Sequence, residues 1–337
     1  RRAAWNLQLP QGRFLPGTGQ RAARAVLSQP PSAPEGFPLG NWITTNELAM
    51  IAGLPRKEVV GMRLREEVEF GLNCPLPREE DRIELGRLVQ NGKVISVPVY
   101  LDKGVLDKHI FVSGVTGSGK TTTCQNLLLR SGLPFLVIEP AKTEYRSMAG
   151  HPECGEMIVF TLGDDREAPF RLNPFELLPR ESITSHVDMM KASMEAAFAM
   201  EAAIPQLIEE TLYRCYENFG WDIATGRNTR YPDPFAPGVY PFPQLSDFLQ
   251  VIPKVVEEHD FDERLKKDYT GSLTARLKNL TLGAKGAMLD TPRSIDWDSL
   301  LDRQVVFELQ EVRSGSEKSL IMGFILSAFN EAVRERF

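Results

Sequence analysis

The chain has 337 residues, of which 42% are hydrophobic and 25% charged, and its formal net charge is −6. These values are typical of a folded globular protein and exclude a wholly basic nucleic-acid coat, although they permit a local basic surface such as the lining of a ring. No apolar run approaches the roughly 20 residues that span a bilayer, and the four cysteines show no paired spacing. We therefore expect a reduced, cytoplasmic protein with no membrane partner.

The N-terminal part of the chain is predicted to contain an arm and a small β-rich module. Residues 1–40 are rich in arginine, proline and glycine and lack apolar periodicity, which indicates an extended arm or linker. This arm either stays solvated or clasps a neighbouring subunit or DNA. Residues 41–104 form the predicted β-rich module, with a capped helix at 44–52, a strand at 59–70 and a hairpin at 85–100 closed by an Asn-Gly turn.

The strongest motif in the sequence follows this module. An apolar run at 109–113, predicted to be a strand, leads into Gly114–Thr121, which matches G-x-x-x-x-G-K-[ST] and opens into a helix predicted at 122–130. In such a loop, glycines allow backbone N–H groups to point at phosphate oxygens, the lysine reaches the β- and γ-phosphates, and the final hydroxyl binds Mg²⁺. The predicted phosphate-binding residues are Gly114, Thr116, Gly117, Ser118, Gly119, Lys120, Thr121 and Thr122, with Thr121 as the magnesium ligand.

Further apolar runs predict the rest of a parallel α/β core. Strands are predicted at 134–140, 157–161 and 304–309, and an amphipathic helix at 318–336. The first of these strands ends at Glu139, on the side of the sheet where open α/β folds bind ligands. Glu139 is therefore either a turn or cap residue or a polar group near the nucleotide and its Mg²⁺.

A long helical region interrupts this core. The two core segments, 105–175 and 300–337, flank a predicted all-α insertion at 176–299. Helical patterns in the insertion occupy residues 186–217 with a break at Pro205, then 245–256 and 272–282.

These motifs together resemble the HerA group of the HerA/FtsK ATPases. The residues that carry the resemblance are Leu85-Gly86-Arg87, the run from Asp107 through His109 to Thr121, Ile138–Tyr145 and Asn173-Pro174-Phe175. The second-strand motif of that group is usually Asp-Pro-His-Gly-Glu-Tyr, whereas here Glu139 replaces the aspartate and Ala-Lys-Thr replaces His-Gly. The resemblance covers roughly residues 83–337.

The resemblance implies a RecA-like P-loop NTPase core with a small N-terminal β-barrel, which uses ATP and Mg²⁺. It also implies a homo-oligomeric ring, typically a hexamer, that drives double-stranded DNA through its pore. Members often work with a nuclease or another effector protein in DNA processing or anti-phage defence. The expected function is thus an ATP-dependent DNA translocase or helicase. The alternative is a nucleotide-gated scaffold that assembles and activates an effector without sustained movement. A GTPase or small-molecule kinase is disfavoured, because no NKxD motif follows the loop.

This sequence differs from the family pattern in the strand that carries the hydrolytic residues. The Walker B acid and catalytic glutamate of the family follow the helix that is here at 318–336, where this chain ends. Either that strand lies beyond Phe337, or the 304–309 strand acts as a surrogate, with Glu308 or Glu311 polarising water.

The resemblance also implies an arginine from the next subunit at the γ-phosphate, for which the candidates are Arg146, Arg276 and Arg313. The alternative for each of them, which the usual exposure of arginine favours, is an ordinary surface arginine. DNA-facing lysines could be Lys266 with Lys267, or Lys278 with Lys285; the alternative for both pairs is a solvated helix face.

Overall fold

The computed structural model of the protein describes residues 71–90, 92–166, 168–200 and 203–337. The predicted arm, the helix at 44–52 and the strand at 59–70 lie outside the described residues. The chain divides into two compact units, one of residues 1–72 and 88–96 and the other of residues 73–87 and 97–337. The second unit contains the phosphate loop, the parallel sheet and the helices.

The bounds of the regular elements are as follows. The described strands are β1 (Arg82–Gln90), β2 (Lys93–Asp102), β3 (Phe135–Glu139), β4 (Met157–Thr161), β5 (Trp221–Asp222), β6 (Arg227–Asn228) and β7 (Gln304–Glu308). The described α-helices are α1 (Lys120–Ser131), α2 (Ile183–Ala197), α3 (Ile204–Asn218), α4 (Leu245–Glu258), α5 (Glu263–Lys278), α6 (Gly283–Leu289), α7 (Asp298–Leu301) and α8 (Gly315–Arg336). Short 3₁₀ turns occupy Glu79–Asp81, Lys103–Val105, Tyr145–Gly150 and Asn279–Thr281.

The core of the second unit is a parallel sheet in the order β3-β7-β4. Its strands are the three apolar runs that the sequence predicted downstream of the loop. The central strand β7 is buried from Val305 onwards, as expected for a parallel strand covered on both faces. The register aligns Glu139 with Glu308 and Glu308 with Thr161. Three polar side chains therefore stand side by side at the carboxyl edge of the sheet.

The apolar run before the phosphate loop was predicted to be a strand, and this prediction is wrong. Residues 109–114 belong to no strand in the described part of the chain, and the Phe111 side chain is 91% exposed. A strand forms only where a neighbouring backbone supplies hydrogen bonds, and the described sheet ends at β3 without a strand paired to residues 110–112. An apolar composition is therefore not enough to form a strand when no neighbouring strand is available to pair with it.

The insertion is helical in the main, with two differences from the prediction. The expected break near Pro205 is confirmed, because α2 ends at Ala197 and α3 begins at Ile204. Helix α5 begins at Glu263 rather than near residue 272, since Asp262 caps the amides of Arg264 and Leu265. A two-residue antiparallel ladder, β5–β6, shows that the insertion is not all-α.

A continuous hydrophobic core joins the insertion to the sheet. Helix α8, which follows the central strand, packs against α2 of the insertion. The same buried cluster contains Phe307 of the sheet, Phe324 of α8 and Met190 of α2. The insertion is therefore not a separately packed body in the described structure, and it can support the sheet edge that carries the candidate site.

The N-terminal hairpin is confirmed, since β1 and β2, which are consecutive in the chain, form a two-stranded sheet. The β-barrel implied by the resemblance is not shown, because the rest of that module lies outside the described residues. Within the described ranges, no helix combines the length and the apolar character that crossing a bilayer requires.

Candidate nucleotide site

The phosphate loop has a tightly curled backbone that depends on glycine. Gly117 and Gly119 adopt φ values of +79° and +88°, in the left-handed region that side chains with a Cβ rarely enter. Gly119 is also the N-cap of α1, and its carbonyl accepts the first helical bond from the Thr123 amide at 2.8 Å. The loop amides thus lead directly into a helix N-terminus, the arrangement that binds phosphate.

Gly114 closes the other side of the loop. A Cβ at this position would stand 2.4 Å from the Ser118 Oγ and 3.3 Å from its Cβ. A Cβ at residue 114 would therefore require the Ser118 side chain to shift. A concave ring of backbone between Gly114 and Gly119 fits a phosphate group, so the residues present suit the nucleotide that the motif implies.

We predict that Gly114→Ala lowers the affinity for ATP about tenfold, because overpacking of this kind costs about 1–3 kcal/mol. Rotation of the Ser118 hydroxyl would relieve only the shorter of the two contacts. The measurement is titration with a fluorescent ATP analogue. The matched control is Gly150→Ala, since a Cβ at Gly150 meets nothing within 4 Å. Equal affinities for the two variants would contradict the prediction.

Lys120 and Thr121 occupy the first turn of α1. The Lys120 ammonium donates to the Val115 carbonyl at 3.0 Å, so the side chain lies across the loop rather than extending into solvent. The Thr121 side chain is half-buried and faces the segment after β3. Lys120 and the loop amides would hold the β- and γ-phosphates of bound ATP, and Thr121 would bind its Mg²⁺. The cation then supplies charge neutralisation for phosphoryl transfer.

The remaining predicted loop contacts, Thr116, Ser118 and Thr122, are all exposed on the surface of the loop and first helical turn. Their part in nucleotide binding stays a prediction. The Ser118 amide donates to the Val115 carbonyl at 3.2 Å and so helps to close the loop on itself.

Glu139 lies at the carboxyl edge of the sheet, as its strand pattern predicted, but its carboxylate is turned inward. The residue is only 7% exposed. Its two oxygens accept hydrogen bonds from the amides of Glu144 at 3.0 Å and Tyr145 at 3.2 Å. Of the two alternatives for Glu139, this geometry matches the cap residue, since the carboxylate is occupied in holding the chain that follows.

Glu308 is fully buried at the end of the central strand and forms an ion pair. Arg146 donates to both carboxylate oxygens, at 2.9 and 2.5 Å, and the Thr161 hydroxyl lies 3.5 Å from one of them. Both oxygens of this carboxylate are already hydrogen-bonded within the chain, so a surrogate hydrolytic role for Glu308 gains no support from its surroundings. Arg146 is likewise engaged within its own chain. Glu311, the other surrogate candidate, is exposed.

The other arginine candidates lie in different settings. Arg276, on α5, places its guanidinium over the Phe198 ring at 5.7 Å, and its Nη1 atom is buried without a hydrogen-bond partner among the described residues. Arg313 is exposed just before α8. Exposure is what an arginine offered to a neighbouring subunit requires, so Arg313 suits that role better than Arg146 does. The roles themselves stay predictions.

Two of the four lysines proposed for DNA contact are paired within the chain. Lys266 binds Glu257 at 3.0 Å with only 15% of its side chain exposed, and Lys285 binds Glu317 at 2.8 Å. Lys267 and Lys278 are exposed. The positive charge that these four lysines can offer to the phosphate backbone of DNA is thus smaller than the sequence indicated.

The structure brings forward a residue that the sequence did not single out. Glu144 hydrogen-bonds with Lys142 at 2.5 Å, and its backbone carbonyl accepts from Gln125 of α1 at 2.9 Å. Hydrogen bonds from Lys142 and from the Thr121 hydroxyl hold the pKa of the Glu144 carboxyl below its usual value. The resemblance included Glu144 within its second-strand motif, but the residue pattern did not distinguish which of the two acids faces the loop.

A separate cleft of about 460 Å³ opens between α2, α8 and residues 293–298. It is lined in part by the buried pair His186–Glu331, whose Nδ1 and Oε1 atoms are 2.7 Å apart, and by Trp297. None of the predicted phosphate-loop residues lines it. The phosphate site is therefore a surface loop next to a sheet edge, distinct from this cleft.

Comparison with known proteins places the chain in a family. The family described as "Helicase HerA, central domain" matches residues 83–329, well over half of the chain. No curated protein matches the sequence. Among solved structures, VirB4 of Thermoanaerobacter pseudethanolicus is similar with a TM-score of 0.46 and 17% identity, over 65% of this chain and 77% of that one. The family match spans the hairpin, the phosphate loop, the parallel sheet, the insertion and most of α8. The chain thus belongs to the HerA-type ATPases, a family of nucleotide-driven motor proteins.

Proposed function

We propose that this chain is the ATPase of a ring-forming motor that moves double-stranded DNA through a central pore at the expense of ATP. The observation that carries the proposal is the complete phosphate loop of Gly114–Thr121, with Gly119 capping α1, in a chain of the HerA-type family. The ring is a homo-oligomer, six subunits being the number expected. An effector such as a nuclease acts on the DNA that the ring delivers, in DNA processing or in anti-phage defence.

We propose that the residues of this chain bind ATP and orient it for hydrolysis. The loop amides and Lys120 hold the β- and γ-phosphates, and Thr121 holds the magnesium. An arginine of the adjacent subunit, for which Arg313 is the exposed candidate, offsets charge on the γ-phosphate. Because contact with the DNA backbone neutralises phosphate charge, binding to DNA would weaken as salt rises.

A second function has one observation in its favour. Glu308, the buried candidate for activating water, is engaged by Arg146 through both of its oxygens. If no other subunit or segment supplies a hydrolytic acid, ATP would bind without rapid turnover. The protein would then be a nucleotide-gated scaffold that assembles a ring and positions an effector.

DNA-stimulated ATP turnover distinguishes these functions. For the motor, we expect double-stranded DNA to raise turnover several-fold at 50 mM salt, and the stimulation to decline steeply by 200 mM because DNA binding is electrostatic. Steady-state phosphate release with and without DNA is the measurement, with heparin as the polyanion control. If ATP binds but DNA never stimulates turnover, the motor is contradicted and the scaffold is favoured.

A further inference from the structure

The cleft between α2, α8 and residues 293–298 has the size and the lining of a small-molecule site. Its volume of about 460 Å³ lies within the range of about 300–1,000 Å³ that such sites occupy. Apolar side chains, among them Met190 and Trp297, form part of the lining. Polar groups of α8, above all Ser327 and Glu331, share the same cleft. This combination of apolar surface with a few polar groups is typical of a site that binds an organic molecule.

Ser327 carries a hydroxyl that the chain itself does not use. The residue is only 9% exposed, yet its Oγ atom forms no hydrogen bond with any described residue. The enclosed side-chain atoms that lack a partner in the described part of the chain belong to Arg276 and Trp297, so the Ser327 Oγ remains accessible. A hydroxyl that lines a cleft and has no partner in the protein is available to a ligand.

Glu331 provides a second acceptor beside this hydroxyl. The residue is 3% exposed, and its Oε1 atom lies 2.7 Å from the Nδ1 atom of His186. Its other oxygen accepts no hydrogen bond from the described residues. Ser327 and Glu331 are four positions apart on α8, so their side chains lie on the same face of the helix. Two neighbouring acceptors suit an ammonium group, which has only donors.

The charges of the lining also favour a cation. Five of the lining residues are acids, whereas two are arginines. Each arginine is matched by an acid of the cleft, since Arg293 lies 3.5 Å from Glu176 and Arg336 lies 3.8 Å from Asp298. The acids that remain without a lining arginine are Asp296, Glu331 and Glu335. His186, even when charged, offsets only one of them. The cleft therefore attracts a cation and repels an anion.

We propose that this cleft binds an aliphatic diamine or polyamine, with one ammonium on Ser327 and Glu331 and the other at Asp296. The Asp296 side chain is exposed, and its carboxylate has no partner among the residues that the structure describes. The methylene chain between the two ammonium groups covers the apolar lining at Met190 and Trp297, which removes apolar surface from water. None of these residues belongs to the phosphate loop, so the site is independent of the proposed function.

Calorimetric titration of the full chain with cadaverine, a five-carbon diamine, tests the proposal. We expect saturable binding of cadaverine, weaker binding of pentylamine, and none of pentanediol, which has the same carbon chain without a charge. Ser327→Ala should lower the affinity for cadaverine about tenfold, because a hydrogen bond to a charged group is lost. The variant should fold normally, since this hydroxyl has no partner in the described structure. Glu331→Gln, which removes the buried charge, should lower the affinity further.

A second variant tests the other end of the ligand. Asp296→Asn should weaken cadaverine by about two- to fivefold, the effect of an exposed ion pair, and leave pentylamine unchanged. The matched control is Asp260→Asn, an exposed aspartate that does not line the cleft. Binding of cadaverine that does not saturate by about 10 mM overturns the inference. Unchanged affinity in Ser327→Ala also overturns it, because cadaverine would then be only a counterion of an acidic chain.

Discussion

Lys120→Ala is expected to lower ATP turnover about 10²- to 10³-fold, which corresponds to about 2.7–4 kcal/mol of transition-state stabilisation. The ammonium is the positive side chain that the motif places at the β- and γ-phosphates, where negative charge develops during transfer. In the structure it donates to one neutral carbonyl, that of Val115, at 3.0 Å. Its removal should therefore cost the folded protein little, about 1 kcal/mol or less.

The measurement is steady-state phosphate release at saturating ATP and DNA, together with a thermal unfolding curve for each protein. Lys254→Ala is the matched control, because Lys254 is exposed on α4 and lies outside the phosphate loop. A Lys120→Ala protein that keeps more than half of the normal turnover would contradict the nucleotide site as described. Ring size, measured for the same variants, shows whether assembly also depends on the nucleotide. The scaffold function is contradicted if Lys120→Ala rings assemble and activate the effector normally.

Arg146→Ala is expected to destabilise the fold by about 3 kcal/mol, a large fraction of the stability of a typical domain. Glu308 has no exposed surface, whereas the Arg146 side chain is about half exposed at 48%. Removing the arginine leaves a buried carboxylate on the central strand whose one remaining side-chain partner among the described residues is the Thr161 hydroxyl at 3.5 Å. The half exposure of Arg146 places the expected effect at the lower end of the range for buried ion pairs.

Urea unfolding at neutral pH measures this effect, and a second arginine–glutamate pair provides the control. Arg214 bonds both oxygens of Glu258, at 2.8 and 2.9 Å, but both side chains are exposed, at 41% and 55%. Arg214→Ala should cost less than about 1 kcal/mol, because water screens an exposed pair. Removing both charges, in Arg146→Met with Glu308→Leu, should recover most of the stability. If Arg146→Ala is no more damaging than Arg214→Ala, the buried pair is not a structural element.

Two buried carboxylates at this edge hold the chain that follows β3. Glu139 accepts the amides of Glu144 and Tyr145, and Glu308 at the end of β7 accepts both bonds from Arg146. Because Tyr145 and Arg146 are adjacent in the chain, a change in one of these contacts can displace the other.

Much of the local structure was predictable from the residues alone. The glycines and lysine of 114–121 predicted the phosphate loop, and the apolar runs predicted β3, β4 and β7 with bounds correct to within one or two residues. The pattern around Pro205 predicted the break between α2 and α3. In each of these cases the deciding interaction is local: a backbone angle, a missing N–H group, or a run of side chains that favours one face.

Tertiary structure decided the rest, because the deciding partners are distant in the chain. Arg146 and Glu308 are 162 positions apart, and no local pattern indicates that they meet. Residues 109–113 have the apolar composition of a strand but lack a neighbouring backbone to pair with in the described sheet. By itself, the sequence determined that this protein has a phosphate loop at Gly114–Thr121 and an acid at the end of the next strand. Only the tertiary structure decided that Glu139 holds the amides of Glu144 and Tyr145 while Glu308 pairs with Arg146, because the direction of a carboxylate depends on which donors surround it.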